Sequence, residues 1–229
     1  YYAYDGSDKT PSVIIKDGAA VIPAGEYAVR YSGNRDVGTA TVTITSEPGG
    51  NYEVNGSVSF EIRQGGAVLT RSPEAKDLTY TGQDQELVSV GAATGGTVVY
   101  SLDKDASDAP DDPDGYSEKI PQKTAAGTYI VYYKVRGDAN HADGTAVGSV
   151  TVTIKPKEIV SPKITVSGTY IYDGAPKEPS GSAVTVEDGA TLIPSSEYAL
   201  SYQNNIDAGT ATVIVTNANG GNYIVNGTA

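Results

Sequence analysis

Three groups of side chains in this 229-residue chain have the types and spacing for chemistry. The densest is acidic: Asp103, Asp105, Asp108, Asp111, Asp112 and Asp114 crowd the segment that ends at Gly115. Closely spaced carboxylate oxygens can surround a hard cation such as Ca²⁺. The spacing is not that of an EF-hand, and Pro110 and Pro113 interrupt it. Two readings stand, a Ca²⁺ site built from Asp103, Asp105, Asp108, Asp112 and Asp114, or a solvated loop. No other cofactor is expected. The second group pairs Lys9 and Lys177, at matching places near a Tyr-Asp-Gly turn, with the recurrent Asn55 and Asn226. A desolvated Lys amine beside an Asn amide, with a carboxylate as proton shuttle, can form an internal isopeptide bond. Each such bond would lower the intact mass by one ammonia. The third is His141, the only histidine, in the polar stretch Asp138-Ala139-Asn140-His141-Ala142-Asp143-Gly144. No nucleophile-elbow pattern accompanies it, and it is expected to be a solvated loop residue.

Two further patterns read as structure. Asp36 and Asp207 precede corner glycines in different parts of the chain. They cannot face each other as the paired carboxylates of a hydrolase, and each is expected to accept backbone N–H bonds at its own corner. Asn55-Gly56-Ser57 and Asn226-Gly227-Thr228 match the glycosylation pattern. They read better as tight turns, which Asn-Gly favours. No catalytic residue is expected.

The elements that carry these residues are short strands. Asp36-Val37-Gly38-Thr39-Ala40-Thr41-Val42-Thr43-Ile44 is a corner followed by a strand. Gly38 supplies the corner, and the period-two alternation puts Ala40, Val42 and Ile44 on one face. The unit returns as Asp207-Ala208-Gly209-Thr210-Ala211-Thr212-Val213 and, more distantly, as Ala125-Ala126-Gly127-Thr128-Tyr129-Ile130-Val131. Residues 17–58 align without a gap to residues 188–229, and more than half of the positions are identical, among them Gly49-Gly50-Asn51-Tyr52 with Gly220-Gly221-Asn222-Tyr223. Turn signals and alternation predict strands over Ser12–Lys16, Tyr27–Tyr31, Tyr52–Val54, Val58–Ile62, Leu87–Val90, Thr97–Leu102, Tyr129–Arg136, Ser149–Lys155 and Ile164–Tyr172. No window has helical periodicity.

The sequence therefore divides into 1–64, 65–155 and 156–229. The expected fold is all-β: three tandem small antiparallel β-sandwich modules of Ig-like type, end to end, with a β-grasp-like fold as the alternative for the first and third. Module one lacks the first strand of module three, and module three lacks the last strand of module one. The chain is thus expected to be a piece of something longer, with edges open to end-to-end pairing.

Composition narrows the function. The net charge is −12, spread over all three modules, which does not suit nucleic acid or an anionic membrane surface. No apolar run is long enough to span a bilayer. There are 17 Tyr, one Phe and no Trp, Met or Cys. Cores must then come from Val, Ile, Leu, Ala and Tyr, and disulfides and thiolate metal sites are excluded.

Tyr202-Gln203-Asn204-Asn205-Ile206-Asp207-Ala208-Gly209-Thr210-Ala211-Thr212-Val213 and Gly221-Asn222-Tyr223 resemble small repeats of bacterial cell-surface proteins, the mostly-β YDG/MBG-type or bacterial Ig-like domains of adhesin-like proteins. Leu78-Thr79-Tyr80-Thr81-Gly82-Gln83, Ala126-Gly127-Thr128-Tyr129 and Gly137-Asp138-Ala139-Asn140-His141 look like a sister repeat. The resemblance covers essentially the whole chain. It implies a monomeric, non-enzymatic stalk segment, extracellular and attached to the cell wall or surface, with a host protein or glycan as partner. The alternatives are a carbohydrate- or protein-binding module, for which Tyr132 on the outer face is the probe, and an accessory region of a large secreted glycan-degrading enzyme. The likeness to Ig-like domains also gives Tyr129 a role, a corner tyrosine whose hydroxyl bonds upstream backbone.

Overall fold

The computed structural model describes residues 1–102 and 115–229, so the acidic candidates Asp103, Asp105, Asp108, Asp112 and Asp114 lie outside the described residues. The protein is all-β, and its only helical pieces among the described residues are three-residue 3₁₀ turns, Ala24–Glu26, Gly181–Ala183 and Ser195–Glu197. Among the described residues every strand pairs within 1–64, within 65–155 or within 156–229.

In module two the main sheet runs Gly96–Ser101, Gly127–Gly137, Val147–Lys155, Leu78–Thr79. The pairs Val68–Arg71 with Ala92–Thr94, and Gln85–Glu86 with Gln122–Lys123, lie outside that sheet. Val98, Tyr100, Val131, Val135, Val152 and Ile154 from the main sheet meet Ala67, Leu87 and Val88 in one core. This is a sandwich in the ordinary sense: alternate residues of two layers fill the space between them. The face expected from alternation is the observed one, with Val131 and Val135 fully buried and Tyr129 and Tyr133 packed at the margin. Tyr129 Oη donates to the Ala125 carbonyl at 2.8 Å, four residues upstream, as a corner tyrosine does.

Module three packs Lys163–Val166, Val184–Asp188 and Thr191–Ile193 against Tyr198–Gln203, Thr212–Asn217 and Gly227–Thr228. Its core is Ile159, Val186, Ile193, Tyr198, Val215 and Val225. Module one carries a four-stranded sheet, Tyr2–Ala3, Gly56–Arg63, Gly38–Ser46, Tyr27–Ser32, and the small hairpin of Lys16–Asp17 with Ala20–Val21. In it Ala40 and Val42 are buried on the face that alternation assigns.

Several predicted strands are shorter than expected, each for a local reason. Ile164–Tyr172 stops as a strand at Val166. Gly168 follows with φ 108°, and the Tyr170 hydroxyl folds back to donate to the Ser167 carbonyl. Leu87–Val90 is not an alternating strand, because consecutive Leu87 and Val88 are both fully buried. Ser12–Lys16 is a strand only at Lys16–Asp17. Module three covers its equivalent hairpin with Lys163–Val166, and among the described residues of module one no strand does so. Ile14 is accordingly exposed.

Among the described residues the ladders are antiparallel except for four short parallel pairs. Two tie the Tyr-containing turn of a module to its last strand: Tyr2–Ala3 with Ile62–Arg63, and Leu78–Thr79 with Ile154–Lys155. The other two, Gly65–Gly66 with His141–Ala142 and Lys157–Ile159 with Tyr223–Val225, pair each linker with the module it leads into.

Candidate functional site

The corner-strand unit sets two functional ends on every module. The corner glycines share one backbone conformation, φ 140° at Gly38, 155° at Gly127 and 150° at Gly209, which L side chains rarely adopt. The strand then runs away from the corner and ends in a loop that carries Asn followed by an aromatic ring: Asn51-Tyr52, Asn140-His141 and Asn222-Tyr223. In module two the strand between them is Gly127–Gly137, roughly 35 Å long at about 3.4 Å per residue. The corner and the Asn-aromatic loop thus lie at opposite ends of the module.

These ends meet. Between modules one and two, the Val37 N–H donates to Asn140 Oδ1 at 3.0 Å and Asn140 Nδ2 donates to Asp36 Oδ1 at 3.2 Å. The His141 ring stands edge-on to Tyr4, with centroids 5.0 Å apart and an interplanar angle of 89°. Between modules two and three, the Ala126 N–H donates to Asn222 Oδ1 at 2.8 Å. The Tyr223 ring stands edge-on to Tyr80, at 5.1 Å and 75°. The backbone repeats the pattern as well. Gly65 N–H donates to the Asn140 carbonyl at 3.0 Å and Lys157 N–H to the Asn222 carbonyl at 2.9 Å. Tyr4 and Tyr80 are themselves pinned by N–H bonds of 2.8 Å to the Arg63 and Lys155 carbonyls.

Each Asn is held from behind. Asn222 donates its backbone N–H to Glu197 Oε2 at 2.5 Å and its Nδ2 to Oε1 at 2.9 Å, which leaves Oδ1 to face the preceding module. Asn51 is clamped by Glu26 in the same way, at 2.5 and 3.1 Å. The Asn51 N–H is the main reason the Glu26 carboxyl is held below its ordinary range. The clamp explains the second glycine of Gly-Gly-Asn-Tyr: a Cβ on Gly50 or Gly221 would stand 2.7 Å from the clamping carboxylate oxygen. Asn140 uses Asp138 instead, which accepts its N–H at 2.9 Å and lies 2.7 Å from His141 Nδ1. That contact with His141 is the largest cause of the lowered Asp138 pKa. His141 sits among glycines; a Cβ on Gly65 or Gly95 would approach its ring to 3.2 or 2.6 Å.

Two sequence expectations are corrected here. His141 is not a solvated loop residue: its side chain is 20% exposed and packs between two modules. Among the described residues Asp36 accepts no backbone N–H at its own corner. The corner N–H goes to Asn140, and the Asp36 carboxylate receives the Asn140 amide.

The cross-link candidates are placed as follows. Lys9 Nζ reaches Asp5 and Ser7, the latter at 3.0 Å, and Lys177 Nζ lies 2.5 Å from Asp173. Hydrogen bonds from Lys9 and then Ser7 hold the Asp5 carboxyl far below the usual range, and Lys177 lowers Asp173 likewise. The amides that approach these lysines are Asn34 Nδ2, 3.1 Å from the Lys9 carbonyl, and Asn205 Nδ2, 3.2 Å from that of Lys177. Asn55 and Asn226 sit just before the strands Gly56–Arg63 and Gly227–Thr228 and make no hydrogen bond to either lysine among the described residues. Among the described residues no cluster of three or more His, Asp or Glu is placed to hold a metal ion.

A cavity of about 500 Å³ in module three is lined by Tyr170, Ile171, Tyr202, Ala211, Val213 and Ala229 among others. In module one, Gly56–Arg63 occupies the corresponding place, pairing Phe60 with Ala40 and Ile62 with Gly38. Ala40 is therefore buried and Ala211 exposed.

No family model matches the chain, and no curated protein matches it. Among solved structures it is similar to the protocadherin gamma B7 extracellular cadherin domains 1–4, at 12% identity and a TM-score of 0.25, over 97% of this chain and 64% of that one. The chain thus spans just under two thirds of that protein's length. The fold assignment rests on the ladders and cores themselves. No helix among the described residues is long and apolar enough to cross a membrane.

Proposed function

We propose that this chain is a non-enzymatic spacer, a stiff segment of an extracellular, adhesin-like surface protein that holds other domains away from their anchor. The observation that carries this reading is the recurrence of one junction at both module boundaries. Each joins an Asn carbonyl oxygen to a corner N–H, an edge-on ring pair and a parallel linker ladder. A chain of freely jointed modules needs none of these; a rod needs them at every joint. Inter-domain motion is the default where such contacts are lacking. Extracellular placement, wall attachment and a bacterial source rest on the resemblance of the repeats to surface proteins.

Small-angle scattering tests the spacer. Three modules in line give a rod of roughly 100 Å and a radius of gyration of about 30 Å, against about 17 Å for a compact chain of this length. Interdomain relaxation should show one rigid body. A compact particle, or modules tumbling independently, would refute the reading.

A second reading has one observation in its favour. In module two, Leu102, Lys123, Thr128, Tyr129, Ile130 and Tyr132 line a shallow depression, and Ile130 is 44% exposed. The half-buried Tyr132 ring beside this apolar side chain suits the face of a sugar or a protein loop. Binding to a glycan array that Tyr132→Ala abolishes would favour this reading.

A further inference from the structure

The junction is used twice within the chain, but its two halves occur three times. Module one carries the Asn-aromatic half at its leading end, and module three carries the corner half at its trailing end. We propose that these two ends join one copy of the chain to the next, head to tail: Asn51 and Tyr52 of one copy seat on the Ala208 N–H and Tyr172 of another.

The leading half is pre-organised. Gly49-Gly50-Asn51-Tyr52 is identical to the Gly220-Gly221-Asn222-Tyr223 that docks on module two. Glu26 ties both donors of Asn51, as Glu197 ties those of Asn222. Asn51 Oδ1 makes no hydrogen bond among the described residues, whereas Asn222 Oδ1 is spent on Ala126. Tyr52 is 43% exposed.

The trailing half matches it. Ala208 stands where Val37 and Ala126 stand, before a glycine of the same conformation. Its N–H makes no hydrogen bond among the described residues, while those of Val37 and Ala126 are both taken. Asp207 repeats the Asp36 that receives the Asn140 amide. Tyr172, in the place of Tyr4 and Tyr80, is 61% exposed.

Geometry sets the form of the assembly. The two halves lie at opposite ends, so the contact is heterologous and does not close on itself, and it extends as an open chain. Chemistry sets its strength. The junctions within the chain add a linker ladder and a covalent tether, which raises the effective concentration of the partner. The contact between copies has neither, and forms only at high concentration. Net charge −12 on each copy opposes it, so added salt strengthens it by screening.

Sedimentation equilibrium on the full chain from micromolar to millimolar concentration tests this. The average mass should climb without reaching a plateau, and climb further with salt. Asn51→Ala and Tyr172→Ala should each stay monomeric alone. Mixed in equal amounts they should form a dimer and stop, because one offers only the corner half and the other only the Asn half. Tyr172→Phe keeps the ring and should associate as the parent does, which separates a lost contact from a lost fold. The Ala208 amide proton should move downfield with concentration in the parent and hold still in both Ala variants. A parent that remains monomeric throughout overturns the proposal; so do variants that associate like the parent, or a mixture that fails to dimerise. A rigid rod that stays monomeric refutes this proposal and leaves the spacer reading intact.

Discussion

The first junction is built around a histidine and an aspartate, the second around a tyrosine and a glutamate, and both reach nearly the same geometry. Asn140 bridges two groups of the preceding module, the Val37 N–H and the Asp36 carboxylate, while Asn222 reaches one, the Ala126 N–H. The second junction makes up the difference with backbone: three residues of linker ladder against two. What is kept is the acceptor aimed at the corner and the ring that follows it. What varies is how that acceptor is held, by Asp138 two residues before Asn140 or by Glu197 across the module from Asn222. The contact is defined by its geometry, and different side chains supply it.

The comparison can be broken outright at the module both junctions share. Leu87 is fully buried in the core of module two, and Leu87→Ala should cost about 2–5 kcal/mol there. Both junctions should loosen together, seen as a lowered melting transition and as scattering from flexibly linked modules. If only one junction loosens, the two do not depend on a common body. Next in size are the asparagines. Asn140→Ala removes two inter-module hydrogen bonds and Asn222→Ala one, each worth about 0.5–1.5 kcal/mol. Asn140→Ala should free module one, and Asn222→Ala module three, without unfolding either. Residual dipolar couplings on each module would show which joint has opened; equal loss of alignment at both joints would contradict the assignment.

Titration separates the junctions by sign. Asp138 has its pKa lowered by His141. Its contribution is full above the ordinary carboxylate value of about 4 and is lost as pH falls towards the depressed folded value. Tyr223 has its pKa raised, first by burial and then by Tyr80. Its contribution is full below the ordinary tyrosine value of about 10 and is lost as pH climbs through the raised one. Acid should therefore open the first junction and alkali the second, which amide shifts at Val37 and Ala126 would report. The smallest effect expected is Tyr223→His. It leaves a ring against Tyr80 and should cost no more than about 1 kcal/mol. A larger loss would show that the tyrosine is required at this joint.

Most of the scaffold was legible in the sequence, because it is written in local terms. Gly38 followed by alternating Ala40, Val42 and Ile44 specifies a corner and a half-buried strand without reference to anything distant. The Tyr129 hydroxyl finds its partner four residues away. The junctions were not legible for the opposite reason. Asn140 meets Val37 across 103 positions, and Asn222 meets Ala126 across 96. Nothing in the polar stretch around His141 distinguishes a ring packed against Tyr4 from one in water. A signal was nonetheless present: the repeat of Asn followed by a ring, kept in a surface loop where only turn residues were needed. The Lys9 and Lys177 pattern was visible too, and each amine forms an ion pair with the Asp of the same turn.

The parallel pairing of Leu78–Thr79 with Ile154–Lys155 bears on how such a segment would carry load. Lys155 is the last residue of the module before the linker strand Lys157–Ile159. Tension that draws Lys155 outward along its own strand slides it past Leu78–Thr79, so the rungs between them are strained together rather than opened one after another. Tyr2–Ala3 and Ile62–Arg63 repeat the arrangement at the preceding boundary. Modules one and two thus each meet a pull with a lap joint, which yields in shear, instead of a seam that peels.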